Sequence, residues 1–145
     1  ADGVACAWVS YNRSIPIVFY EAHSNFDYLV SKFEYAIGVG NTVPKFEGET
    51  DRIAGSDRFA TAVSVAERFG QTWTQPVIVT GNGFADGLAA AQWVGNSVLL
   101  FAEGAATTDA LSRHKGEVSS ICWIGNQNAI PYGRRLELCE AAGLL

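Results

Sequence analysis

Two stretches of this chain repeat one another in the same order, and that duplication constrains the fold more than any single motif does. Ala1-Asp2-Gly3-Val4-Ala5 matches Ala85-Asp86-Gly87-Leu88-Ala89, and Ile17-Val18-Phe19-Tyr20-Glu21 matches Leu99-Leu100-Phe101-Ala102-Glu103. Further on, Ala36-Ile37-Gly38-Val39-Gly40-Asn41 matches Cys122-Trp123-Ile124-Gly125-Asn126, with Pro44 and Pro131 following. The offset, about 82 to 87 residues, is longer than the common solenoid periods. A repeat of that size is a supersecondary module that needs neighbours to bury its faces. The equivalents of Arg52 to Phe84 would precede Ala1, and the sequence has no methionine, so a piece of a longer protein is expected.

The later copy reads as alternating elements. Behind Ser56 or Asp57 as cap, Phe59, Ala62, Val63, Ala66 and Phe69 fall at helical spacing, and Gly70 stops the helix. Pro76 opens Val77-Ile78-Val79-Thr80, a β-branched run without alternation, as in a parallel strand covered on both faces. After Gly81-Asn82-Gly83 the pattern predicts a helix over about 84–94, a strand near 98–101 and a helix opened by Thr107, Thr108 or Asp109. A strand over 121–124 and a helix over about 132–142 close the copy. The earlier copy supplies a helix near 2–9, a strand near 16–20, a helix near 25–33 and a strand near 35–39. The fold class is therefore α/β, with right-handed crossovers and a parallel sheet. Residues 1–47 read as the end of a first repeat and 48–145 as a complete second one. Their joint, Gly48 to Asp51, is short and charged, which favours packed modules or a shared sheet over a flexible string.

Composition narrows the partners. At 145 residues with 48% apolar content, the chain can bury a core. A net charge of −5 argues against nucleic acid, which needs a basic stripe. No run reaches the roughly 18 apolar residues of a membrane span, and no Arg/Lys-flanked apolar run resembles a signal peptide, so if the protein is secreted its signal is expected to have been removed. Cys6, Cys122 and Cys139 lack zinc-site spacing and read as buried thiols, with a Cys122–Cys139 bridge left open.

Arg52-Ile53-Ala54-Gly55-Ser56-Asp57-Arg58-Phe59, Gly81 to Ala91 and the two Gly-Asn strand ends resemble the cell wall binding type 2 repeats of Gram-positive surface proteins. That resemblance covers nearly all of 50–145. It implies a Rossmann-like module, without catalysis or cofactor, that anchors a secreted protein to an anionic secondary wall polymer. It also implies three modules about a pseudo-threefold axis, so neighbouring repeats or a homo-oligomer are expected partners.

Ligands of a parallel sheet sit beyond the carboxyl ends of its strands. Asn82, Gly83, Gly125 and Asn126 occupy such loops, where glycine exposes N–H groups to an anion and equally satisfies turn dihedrals. Asp57, Arg58 and Asp86 read either as a guanidinium presented to polymer or as a structural lock in which Asp57 caps and Arg58 pairs with Asp86. Arg52 is the expected free cation. Trp8 and Trp93 are expected in the core, while Trp73 and Tyr132 are expected at exposed loops that could stack on sugar, as could Phe84. Arg134-Arg135 reads as a solvated helix face, Glu47, Glu49 and Asp51 as a solvated charge run, and His23 and His114 as surface residues. A second reading is a nucleotide-binding enzyme: Gly81-Asn82-Gly83, with Glu103 about 20 residues on, imitates a dinucleotide fingerprint, but Asp86 replaces its third glycine. A third is a pure module-assembly element that self-associates through an apolar edge.

Overall fold

The β-branched run is buried on both faces because it is the centre of a sheet. In the computed structural model, which describes residues 2–18, 20, 25–83 and 85–145, β3 (Val77–Val79) pairs in parallel with β4 (Leu99–Phe101) and β5 (Cys122–Ile124). Val77 stands opposite both Leu99 and Cys122, giving the order β4-β3-β5. Alternate residues feed two cores. Val77, Val79, Leu99 and Phe101 face one cluster, and Ile78 and Leu100 face the other.

Helices cover both faces. α3 (Arg58–Phe69) begins where the Asp57 carboxylate accepts the N–H groups of Phe59 at 2.9 Å and Ala60 at 2.8 Å, as the cap reading required. This helix runs along β4 and contributes to both cores, Ala62 and Val65 to one, Val63 and Ala66 to the other. α5 (Ala105–Arg113) and α6 (Tyr132–Ala142) pack together over Ile78 and Leu100 through Ala110, Leu111 and Leu138. On the opposite face lie α4 (Ala85–Ala90), a 3-10 turn (Ala91–Trp93) and α1 (Asp2–Arg13). The result is an α/β fold with small parallel sheets.

α1 and α4 are matched segments of the two copies, and they touch. A Cβ on Gly87 would lie 2.2 Å from Val4 Cγ1, so glycine is what lets the two helices approach. Trp8 is buried behind this contact. After α2 (Phe26–Val30), β1 (Ile37–Val39) pairs in parallel with β2 (Asp51–Ile53), Ile37 opposite Asp51. The ladder extends from Thr50 N–H, which donates to Ala36 O at 2.9 Å, to Gly40 N–H, which donates to Ile53 O at 2.9 Å. The Asn41 amide donates to the Gly55 carbonyl. The first residues of one copy thus complete a ladder begun in the other.

Several expectations change. Residues 16–18 and 20 form no strand, and Phe19 lies outside the described residues. Among the described residues the matched strand β4 pairs only with β3, and nothing in these 145 residues matches β3 in the earlier copy. β2 was not anticipated; its three residues carry no strand pattern and gain their ladder from β1. α1 continues to Arg13, and α2 is shorter than its spacing suggested. The helix expected over about 84–94 tightens after Ala90, with Phe84 outside the described residues. α5 starts at Ala105 rather than at Thr107, Thr108 or Asp109, because Gly104 adopts φ +83° against the Phe59 ring. Cys122 and Cys139 are both free thiols, so that bridge does not form.

Candidate ligand-binding site

The loop after β3 is shaped for an anion, and the chain supplies one. Glu103, at the end of β4, accepts Gly81 N–H at 2.7 Å, the Thr80 hydroxyl at 2.7 Å and the Asn82 amide at 3.0 Å. The donors that would meet a pyrophosphate or polymer phosphate are thereby occupied, and a second anion would be repelled. Glu103 mimics the ribose-binding carboxylate in sequence but turns into the phosphate loop in space. Gly83 alone faces open space there. Replacing Glu103 by alanine is expected to cost about 2 kcal/mol by leaving buried donors unpaired; an unchanged urea midpoint would show that the carboxylate does not hold the loop.

The equivalent loop after β5 is also closed. Gly125 adopts φ +125°, and the Asn126 side-chain oxygen accepts the N–H groups of Asn128 at 2.9 Å and Ala129 at 3.1 Å, a side-chain turn. Arg135 donates to Gly125 O at 2.9 Å and Ile130 O at 3.0 Å, and Arg134 to Ala102 O at 2.6 Å and Gly104 O at 2.8 Å. Both arginines pin loops rather than forming a solvated face. Asp86 lies beside this loop, its Oδ2 3.6 Å from where a Cβ on Gly125 would be. Arg58 instead donates to Gly81 O at 3.3 Å, and no Arg58–Asp86 pair forms among the described residues. The lock therefore has its cap, Asp57, but not its ion pair.

Arg52 is no free cation. Its guanidinium binds both oxygens of Glu49, at 2.7 and 2.6 Å, and donates to the carbonyls of Gly40 at 2.8 Å, Val43 at 2.7 Å and Pro44 at 3.2 Å. The Glu49 side chain is 4% exposed, so it does not belong to a solvated charge run. Its hydrogen bonds from Arg52 hold the carboxyl below its ordinary value against the opposing effect of burial, and the same bonds raise Arg52. The signal available in sequence was the spacing of Glu49 three residues before Arg52.

An open groove of about 550 Å³ runs between β2, α3 and α5, lined by Asp51, Arg52, Ser64, Glu67, Arg68 and Arg113 among others. Arg68 contacts Asp51 at 3.4 Å and Arg113 contacts Glu67 at 3.0 Å, each guanidinium side chain 55% exposed. Pairs this exposed are weak and can exchange partners. Sequence reasoning passed over Arg68 and Arg113 because both end helices, where a basic residue is ordinary.

The aromatic assignments partly invert. Trp73 is 5% exposed and stacks on His114 with ring centres 3.8 Å apart. His114 is itself enclosed, its Nε2 3.2 Å from Glu67 and its Nδ1 3.1 Å from Glu117. His23 lies outside the described residues. Trp93, expected in the core, is 73% exposed, while Trp8 is buried and Tyr132 exposed as expected.

The molecule thus combines a parallel α/β architecture and self-closed loops with an exposed groove lined by three arginines, Asp51 and Glu67. The chain belongs to the cell wall binding domain 2 (CWB2) family, whose profile matches residues 52–133, and it is accordingly a cell wall binding module of a noncatalytic family. Among solved structures it is similar to Cwp8 from Clostridium difficile, with a TM-score of 0.73 at 19% identity. That similarity spans 97% of this chain and 27% of the other, so the chain corresponds to about a quarter of that protein's length. No match was found among curated proteins.

Proposed function

We propose that this module anchors a secreted surface protein of a Gram-positive bacterium by binding an anionic secondary wall polymer, without catalysis. The observation that carries the reading is the groove: Arg52, Arg68 and Arg113 line it, three of the chain's 10 lysines and arginines in a protein of net charge −5. Arg52 is committed to Glu49, so Arg68 and Arg113 are the cations that a polymer phosphate or carboxylate would take from Asp51 and Glu67. Of the residues first singled out, Arg52 alone lines the groove; Asp57, Arg58, Asn82, Gly83, Asp86, Gly125 and Asn126 lie outside its lining, in the helix start and loops that shape the module. The Rossmann-like reading is supported by the β4-β3-β5 parallel order with helices on both faces. The reading of two repeats divided near residue 48, with further repeats or copies as partners, is supported by the matched pairs α1 with α4 and β1 with β5. The Cwp8 likeness and the family support placement at the cell surface, and no helix among the described residues is long and apolar enough to cross a membrane.

Co-sedimentation with Gram-positive walls tests this. The Arg68→Glu/Arg113→Glu double variant is expected to bind about tenfold more weakly, a loss of about 1.4 kcal/mol. Binding is also expected to fall with salt and to vanish once acid extraction removes the secondary polymers. Binding by the folded double variant equal to the parent's would take the polymer out of the groove.

A further inference from the structure

The two edges of the β4-β3-β5 sheet are not alike. β4 is flanked by α3, but no described segment pairs with the outer side of β5. The side chains of β5 are half-buried, whereas those of β3 and β4 are fully buried. Because Cys122 N–H donates inward to Pro76 O at 2.9 Å, alternation turns the backbone groups of Ile121, Trp123 and Gly125 outward. Outward groups of the ladder, the Ile121 carbonyl, both groups of Trp123 and the Gly125 N–H, have no hydrogen-bond partner among the described residues.

The earlier copy shows what such an edge takes. Aligned on the shared Gly40-Asn41 and Gly125-Asn126, residues Ile121, Trp123 and Gly125 correspond to Ala36, Gly38 and Gly40, which face β2: Ala36 O accepts Thr50 N–H, Gly38 stands opposite Arg52, and Gly40 N–H donates to Ile53 O. The loops correspond as well. Arg52 holds the carbonyls of Gly40 and Val43, and Arg135 holds those of Gly125 and Ile130: in each loop the glycine that ends the strand and the residue just before the proline, Pro44 or Pro131. In the first loop the arginine comes from the added strand; in the second it comes from α6. We infer that the outer edge of β5 is a docking site for the Arg-Ile-x-Gly strand of a further repeat, added in parallel as β2 is added to β1, with Arg135 standing in for the arginine of that strand. This assembly site is separate from the groove and does not depend on polymer binding.

The occupant is an extended segment with the chemistry of residues 49–58. Main-chain hydrogen bonds supply its attachment, and a buried isoleucine supplies register. Amide hydrogen exchange on the intact chain, followed by NMR with and without a peptide of the sequence 49–58, tests the inference. Without peptide, Trp123 and Gly125 amides are expected to exchange rapidly while Gly38 and Gly40 are protected. At saturating peptide, protection at Trp123 and Gly125 is expected to rise at least about tenfold. A peptide carrying Ile53→Pro should have no effect. Arg135→Ala should strengthen peptide binding by about tenfold, because the peptide's arginine then meets vacant carbonyls. Slow exchange at Trp123 and Gly125 without peptide would overturn the inference, as would no added protection, or protection gained only at Gly38 and Gly40. Weaker binding to a folded Arg135→Ala variant would overturn the stand-in role.

Discussion

Replacing Trp8 by alanine is expected to lower the unfolding free energy by about 4 kcal/mol, the range for emptying an indole site in a packed core. Trp8 is 2% exposed and belongs to the cluster formed with Val4, Val9, Val77, Val79 and Phe101. Its loss removes the main anchor of α1, which joins the earlier copy to the sheet of the later one. One detail separates the indole's volume from its polarity: Nε1 is buried with no hydrogen-bond partner among the described residues. Trp8→Phe keeps most of the apolar contact and removes the orphaned donor, so it should cost far less than alanine. Urea unfolding of both variants checks this. Equal losses would mean that the N–H finds a partner in solution, and a loss below about 1 kcal/mol for alanine would mean that α1 is not part of the cooperative unit.

The second large effect concerns Arg52. Arg52→Ala removes both guanidinium bonds to the Glu49 carboxylate and releases three carbonyls of the loop after β1, for a cost of about 2 kcal/mol at neutral pH. The pH dependence follows from Glu49. Its folded-state carboxyl lies below the ordinary 4.5, so its contribution is present above that value and is lost as pH falls through the lower folded-state value. The gap between parent and Arg52→Ala should therefore narrow in acid. Glu49→Gln should flatten the acid limb of the parent's stability curve while retaining part of the neutral stability, because the amide oxygen still accepts one guanidinium bond. A gap independent of pH would assign the cost of Arg52→Ala to the carbonyl contacts alone.

Local chemistry made much of this architecture legible. Asp57 declares a cap by its identity and place, and Val77 to Val79 declare a doubly covered strand by composition. The final helix begins and ends at the residues its spacing set. What stayed hidden depends on neighbours far along the chain. Helical spacing gave Trp93 an inward place, but the 3-10 tightening after Ala90 rotates it to solvent. Trp73 read as a loop residue because its partner, His114, is 41 positions away. The Gly81 loop read equally as an anion site and as a plain turn because nothing in its own sequence announces that Glu103 fills it. Arg52 read as free because a charged segment does not reveal that its glutamate is buried. For the binding residues, sequence exposed the backbone that builds loops better than the cations that line the groove.

The β1–β2 ladder sets a boundary that the sequence repeat does not share. A cut at residue 48 follows the written repeat yet strips β1 of the strand that pairs with it and strands β2 on the wrong fragment. A cut beyond Gly55 keeps the ladder whole, together with the Asn41 contact to Gly55. Gene-level shuffling of such units would preserve folding only when breakpoints follow this shifted frame, so grafts and truncations should be designed one strand out of phase with the motif.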